Sequence, residues 1–184
     1  MKDFVELKVH DMSTMIYPAD AYVLILEEVN GVRKMPIIIG RVEAKAIKVS
    51  MSKFIPPRPL THDLMVELLR YMDMNLKEVL IYRAEDGVFF SRLHFYKVED
   101  EFIMESRTSD AVALALRLGC PIYTTEEIIQ SEQLHDLGEG KFSIPITSVS
   151  LQMLEEALQA AIEKEEYEQA SQLRDEIRKR KEMK

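Results

Sequence analysis

The sequence predicts an α+β fold in which a curved, mostly antiparallel or mixed sheet carries a duplicated ββα unit and is followed by a C-terminal α-helical hairpin. Three observations predict it. Short alternating runs of apolar and polar residues, joined by tight-turn signals, fill the first two thirds of the chain. Two stretches, "VLILEEVNGVRKMPIIIGRVEAKAI" and "RLHFYKVEDEFIMESRTSDAVALAL", follow one order of strand, tight turn, strand, small polar break and helix. Beyond Ser150 the composition changes to almost pure helix formers.

Each element has its own warrant. Phe4 to His10 alternates, with Val5, Leu7 and Val9 on one face. Ala21 to Val29 runs into Asn30-Gly31, a strong hairpin signal, and Val32 to Ile39 returns as the partner strand, with Pro36 marking an edge or bulged position. After Gly40 the chain turns helical. Val42, Ala46 and Val49 are expected on its apolar side, and Arg41, Lys45 and Lys48 line up on another. "IPPRPL" holds the backbone extended. Thr61 is the expected cap of a helix whose apolar positions are Leu64, Met65, Leu68, Leu69 and Met72, with Leu60 stapled onto Met65. Val79 to Arg83 and Gly87 to Val98 read as strands, and Glu101 to Glu105 pairs back across a Glu99-Asp100 turn. Thr108 or Ser109 is the expected cap of a helix over Ala111 to Leu118, closed by Gly119 and Pro121. A short strand around Ile122 leads to a helix opened by Thr124 with Glu127. In the duplicated pattern Asp110-Ala111 takes the place of Glu43-Ala44, so two equivalent helix starts are expected.

Ser131 to Ser150, with Gly138, Gly140 and Pro145, reads as a loop or linker. Leu151, Leu154, Leu158 and Ile162 then make one apolar stripe, and Tyr167, Ala170, Leu173 and Ile177 another. Isolated short helices are marginal in water, so the stripes must fold on each other or on a partner.

Composition narrows the function. A chain of 184 residues, 47% of them hydrophobic, can build one domain with a core plus a small appendage. No apolar run approaches the ~18 residues of a membrane span, and the start "MKDFVELKVH" alternates where a signal peptide needs a continuous apolar block; a cytoplasmic protein is expected. Cys120 is the only cysteine, which excludes an internal disulfide and a thiolate-rich zinc site. The formal net charge of -8 argues against a general nucleic-acid coat. Yet Arg33, Lys34, Arg41, Lys45, Lys48, Lys53 and Arg58 form a local basic block opposed only by Glu43, so a polyanion would bind there.

The tail "LEEALQAAIEKEEYEQASQLRDEIRKRK" resembles the UVR motif, a helical hairpin of the excision-repair proteins UvrB and UvrC and of some Clp-protease adaptors. Leu154, Leu158, Ala161, Ile162, Glu165, Tyr167, Ala170, Leu173, Arg174, Asp175 and Ile177 carry the match. The resemblance implies a protein contact module and selects an antiparallel hairpin with its turn near Glu163 to Tyr167. The first part of the chain, through "MPIIIGRVEAKAI", "RPLTHDL" and "SRTSDAVALALRLGCPIY", resembles the bifunctional nuclease family, described as degrading DNA and RNA. Thr108 stands where that family commonly has proline and Met35 where it often has leucine. Together the resemblances divide the chain into a nuclease-like domain over 1–135, a linker over 136–150 and a hairpin over 151–184.

A nuclease needs carboxylates for a divalent ion or a general base, and cations for the phosphate. Asp20 with Glu43 and Lys45 matches the spacing of one metal-nuclease core, in which the Glu-x-Lys pair sits on a strand; here it sits on a predicted helix. Asp63 and Asp110 fall in first helical turns, where a carboxylate offsets the helix dipole without any function. Arg58 and Arg107 each precede a helix N-terminus, which itself attracts anions. The catalytic candidates are Glu43, His62, Asp63 and Asp110. The phosphate-binding candidates are Arg58, Arg107, Ser109, Arg41, Lys45 and Lys48, and those for a Mg or Mn ion are Glu43, Asp63 and Asp110. The structural alternative for the arginines is an ion pair with a helix-start carboxylate. The expected partners are DNA or RNA, and UVR-type proteins or a second copy through 151–184, in a homo-oligomer without membrane contact. The alternative function is a non-enzymatic adaptor or an anion- or nucleotide-binding protein that recruits repair or proteolysis partners.

Overall fold

The computed structural model describes residues 4–14, 21–52, 54–98, 100–136 and 142–182; Asp20, Lys53, Glu99, Gly138 and Gly140 lie outside them. Three strands, β1 (Phe4–Thr14), β2 (Ala21–Glu28) and β3 (Lys34–Gly40), lead into helices α1 (Arg41–Met51) and α2 (Thr61–Tyr71). Three more, β4 (Asn75–Glu85), β5 (Val88–Lys97) and β6 (Asp100–Arg107), lead into α3 (Thr108–Leu118), followed by β7 (Ile122–Thr125) and α4 (Glu126–Glu132). The strands form one sheet of order β3-β2-β1-β7-β4-β5-β6, antiparallel throughout except for the β4-β7 pair.

The duplication is visible in that order. Counted outward from β7, each half is a three-stranded meander whose last strand is a sheet edge and turns directly into a helix. Pro36 sits on the edge strand β3, where its missing N–H costs no ladder bond on the open side. The β4-β5 turn uses Asp86 and Gly87, both at positive φ (52° and 75°), the backbone of a two-residue hairpin loop. A Cβ at Gly87 would lie 2.6 Å from the backbone of Val149 and Ser150, so glycine is needed there for close approach as well as for its φ. The sheet is strongly curved: its edges β3 and β6 are the first and last of seven strands, yet Glu43 at the start of α1 reaches Arg107 at the end of β6 at 2.9 Å.

The core lies between the sheet and α1, α3 and α4, around Leu24, Leu26, Met35, Ile47, Val79, Ile81, Leu114 and Ile129. Cys120 packs against this core, and burial pushes its thiol up to about 11. Several sequence expectations are corrected. α1 buries Ala44 and Ile47, while Val42 is exposed. α2 buries Val66 and turns Leu64 and Leu68 to solvent. The caps also move. Leu60 is the N-cap of α2, and Asp63 Oδ2 accepts its N–H at 2.8 Å. Arg107 is the N-cap of α3, so Thr108 and Ser109 lie inside the helix and are buried. Thr108 Oγ1 there donates to the Phe89 carbonyl at 2.9 Å and sits 2.7 Å from Ser91 Oγ, because a buried hydroxyl must find partners. Thr125, not Thr124, caps α4 by accepting from Ile128 N–H.

The described residues 135–136 and 142–150 carry structure of their own: a ribbon of β8 (His135–Asp136) and β9 (Phe142–Ser143), then a 3-10 turn at Ile146–Ser148. Ser148 Oγ donates to buried Glu132 at 2.6 Å, which fixes this stretch to α4. Helices α5 (Leu151–Glu163) and α6 (Tyr167–Glu182) form the hairpin, turning through Glu165 at φ 61°. The two stripes fold on each other in a separate small core of Leu154, Ala161, Ala170, Leu173 and Ile177. Arg180 on α6 is buried and donates to the Ile146 and Val149 carbonyls at 2.7 Å each, closing the hairpin against its own lead-in.

Candidate functional site

The starts of α1, α2 and α3 converge on one point. Glu43 is the third residue of α1 and Asp110 the third residue of α3, so the duplication gives both helices a carboxylate in the same turn. Arg107 bridges them: its Nη1 donates to Glu43 Oε1 at 2.9 Å and its Nε to Asp110 Oδ2 at 2.8 Å. The two carboxylates, Asp110 first, raise the Arg107 pKa further above its ordinary value. From α2, His62 places Nε2 3.1 Å from the other Asp110 oxygen. Three helix N-termini, each the positive end of a helix dipole, therefore surround one guanidinium and one imidazole. Arg107 is 67% exposed, so it can exchange a carboxylate for an incoming anion.

A second arginine, which the sequence reading passed over, holds the three helices together from beneath. Arg117, in the last turn of α3, has a side chain only 8% exposed. Its Nε donates to Asp63 Oδ1 at 2.6 Å, and its Nη1 to the carbonyls of Ala46 and Ala113 and to Ser50 Oγ. The Arg117 guanidinium beside Asp63 holds that carboxyl below the usual aspartate range, with help from the Leu60 N–H. The signal for Arg117 was its spacing: Asp110, Ala113 and Arg117 share one face of α3, and the small Ala113 lets α1 approach.

The structure thus joins Glu43, His62, Arg107 and Asp110, and places Asp63 one layer below on Arg117. Ser109 is buried beside Arg107 and lines, with Gly40, Glu43 and Met153, a cavity of about 310 Å³. Ser150 and Met153 bring the first turn of the hairpin to the same cavity. Arg58 is exposed on the segment before α2 and takes no part in these bonds among the described residues. Arg41, Lys45 and Lys48 lie on the exposed side of α1, Lys48 resting 5.2 Å from the centre of the Tyr22 ring. The other end of the basic block is neutralised: Arg33 is clamped between Glu28 and Glu126, and Lys34 lies against Glu27 and His10.

Glu43, Asp63 and Asp110 do not form a metal shell in this arrangement. Among the described residues no three His, Cys, Asp or Glu side chains gather as one would require. Arg107 occupies the space between Glu43 and Asp110, and Asp63 gives one oxygen to Arg117 and the other to Leu60 N–H.

Two stretches of the chain match known families. The bifunctional nuclease domain matches residues 24–136, and the UvrB/uvrC motif matches residues 149–182. An uncharacterized protein of Mycobacterium tuberculosis is 43% identical over 112 residues, covering 61% of this chain and 66% of its own length. Bifunctional nuclease 1 of Arabidopsis thaliana is 24% identical over 131 residues, 70% of this chain and 40% of the plant protein. Bifunctional nuclease 2 of the same plant is 24% identical over 129 residues, with 68% and 39% covered.

Proposed function

The chain belongs to the bifunctional nuclease domain family, and on that premise we propose that it hydrolyses phosphodiester bonds of DNA or RNA at the point where the starts of α1, α2 and α3 meet. The observation that carries the reading is the exposed Arg107 set among three helix N-termini, with a His62–Asp110 pair beside it. Helix starts and a guanidinium are what a phosphate needs, and an imidazole held by a carboxylate is what a general base needs. In this reading Arg107 turns from Glu43 to a phosphate oxygen. His62 takes the proton of the attacking water as the new P–O bond forms, the bond to the departing sugar oxygen breaks, and solvent protonates that oxygen. The cations of α1 guide the strand. Because the carboxylates do not fit a metal shell, no step runs through a metal ion. The hairpin serves as the contact module for a UVR-type protein or a second copy.

The pairing of both arginines favours one second reading, an adaptor or anion-binding protein in which the cluster is structural. Cleavage of single-stranded and duplex DNA and RNA by the full chain, in Mg, in Mn and in EDTA, separates the two. Arg107→Ala should keep the fold and lower cleavage by about 100-fold or more, the scale of losing one charge-stabilising donor. Wild-type rates in that variant would remove the site, an inert wild type in all three conditions would leave the adaptor, and loss only in EDTA would show that Arg107 yields the carboxylates to an ion.

A further inference from the structure

The cavity of about 310 Å³ beside Arg107 has walls of two kinds. Ile39, Val88, Phe89 and Met153 are apolar, whereas Glu43, Arg107 and Ser109 bring one carboxylate, one guanidinium and one hydroxyl to the same space. Two glycines shape it. Gly40 has no side chain to fill the place where Glu43 Oε2 lies, and Gly87 lets Val149 and Ser150 rest directly on the β4-β5 turn, which sets Met153 against the cavity. Two polar groups there are unused. Glu43 gives Oε1 to Arg107, and its Oε2 accepts no hydrogen bond among the described residues. Ser109 is 8% exposed, yet its hydroxyl has no partner among them. A buried hydroxyl ordinarily has a partner, so an unpaired one on a cavity wall points to a ligand.

We propose that this cavity takes one unpaired nucleobase, adenine or cytosine, of a nucleotide whose phosphate lies on Arg107; the inference rests on the reading of Arg107 as the phosphate contact. Size sets the first limit. A cavity near the lower end of the ~300–1,000 Å³ typical of small-ligand sites holds one base with its sugar and not a base pair. The apolar walls suit the faces of a planar ring, and the polar groups suit its edge. Charge sets the second limit. A carboxylate only accepts hydrogen bonds, so Glu43 needs an N–H donor and repels a carbonyl. Adenine and cytosine present an amino group beside a bare ring nitrogen, so Glu43 accepts from the amino group while the Ser109 hydroxyl donates to the nitrogen. Uracil and thymine carry a carbonyl where cytosine has its amino group, and guanine carries one where adenine has its own. In a duplex those same atoms are already paired, so the base must be single-stranded or turned out of its helix. Phosphate binding sharpens this selection: as Arg107 turns away, Glu43 loses its ion pair, and the amino group of the base replaces it.

Calorimetry of the full chain with CMP and UMP isolates the edge of the base, because the two differ only there and neither has a phosphodiester bond to lose. CMP should bind more tightly by about tenfold or more, the scale of one hydrogen bond to a charged group. Glu43→Gln, whose amide can also donate to a carbonyl, should bring the two affinities together. Met153→Trp, which fills the cavity from the hairpin side, should weaken CMP binding. Ser109→Ala removes only the hydroxyl and should lower CMP affinity at an unchanged melting temperature, so it serves as the check if the tryptophan disturbs the hairpin. Equal binding of CMP and UMP, binding of neither, or a preference for CMP that survives in all three variants would overturn the base site. Cleavage of oligo(C) and oligo(U) keeps this inference apart from the nuclease reading. Selective binding of CMP without cleavage of either strand would remove the nuclease and keep the base site, whereas cleavage of both strands at one rate with equal binding would do the reverse.

Discussion

The units β2-β3-α1 and β5-β6-α3 share one connectivity and differ at the residue that precedes each helix. In the first it is Gly40 and in the second Arg107, and both N-caps lack a side-chain cap bond. A Cβ on Gly40 would lie 2.6 Å from Glu43 Oε2, so the missing side chain makes room for the carboxylate where it folds back over the helix start. The second unit supplies the guanidinium that this carboxylate meets. The helices differ as well. α3 buries Ala111, Val112, Ala113, Leu114 and Ala115 because it packs against α1, α2 and the sheet at once, whereas α1 buries only Ala44 and Ile47 and keeps cations outside. Divergence between two copies of one unit has made a central helix and a peripheral one, and the candidate site lies where their starts cross.

The largest test of that asymmetry is Arg117, whose place in α1 is taken by Ser50. Arg117→Ala leaves Asp63 without its ion pair and three helix elements without their common donor, so a loss of about 3–5 kcal/mol is expected in chemical denaturation, as for one broken buried pair. Loss of less than about 1 kcal/mol would show that helix packing alone holds the layer.

A smaller effect follows from pH. The Asp63 carboxyl titrates lower in the folded protein than in the unfolded chain, so in the interval between the two values the unfolded chain binds the extra proton. Its contribution is therefore fully present above the unfolded value of about 3.9 and is lost as pH falls through the folded one. Stability should drop below about pH 4, and Asp63→Asn should flatten that part of the profile. A variant with the same acid slope as wild type would assign the effect to other carboxylates.

The smallest expected change is Gly40→Ala. The backbone at Gly40 is extended (φ -77°), so alanine is unstrained and should change stability by less than about 1 kcal/mol. It crowds Glu43, however, so cleavage should change while the melting temperature does not. An unchanged rate would mean that the position of Glu43 against Gly40 does not matter to the chemistry.

Alternation, turn dipeptides and the repeated order of elements identified the sheet, the two ββα units and the C-terminal hairpin, because these depend on neighbours close along the chain. Glu43 and Asp110 were legible as equivalent helix starts for the same reason. What the sequence could not supply was who meets whom across the duplication. Whether Arg107 serves one helix or two depends on the curvature that brings opposite sheet edges together. The importance of Arg117 depends on α1 and α2 packing over Ala113, which turns a last-turn arginine into a buried one. The outward face of α2 was missed because apolar periodicity gives the direction of a stripe around its own axis and not which side the core occupies. Local periodicity fixes an element, whereas its partners are set by contacts between residues distant in the chain, and only the tertiary structure holds those.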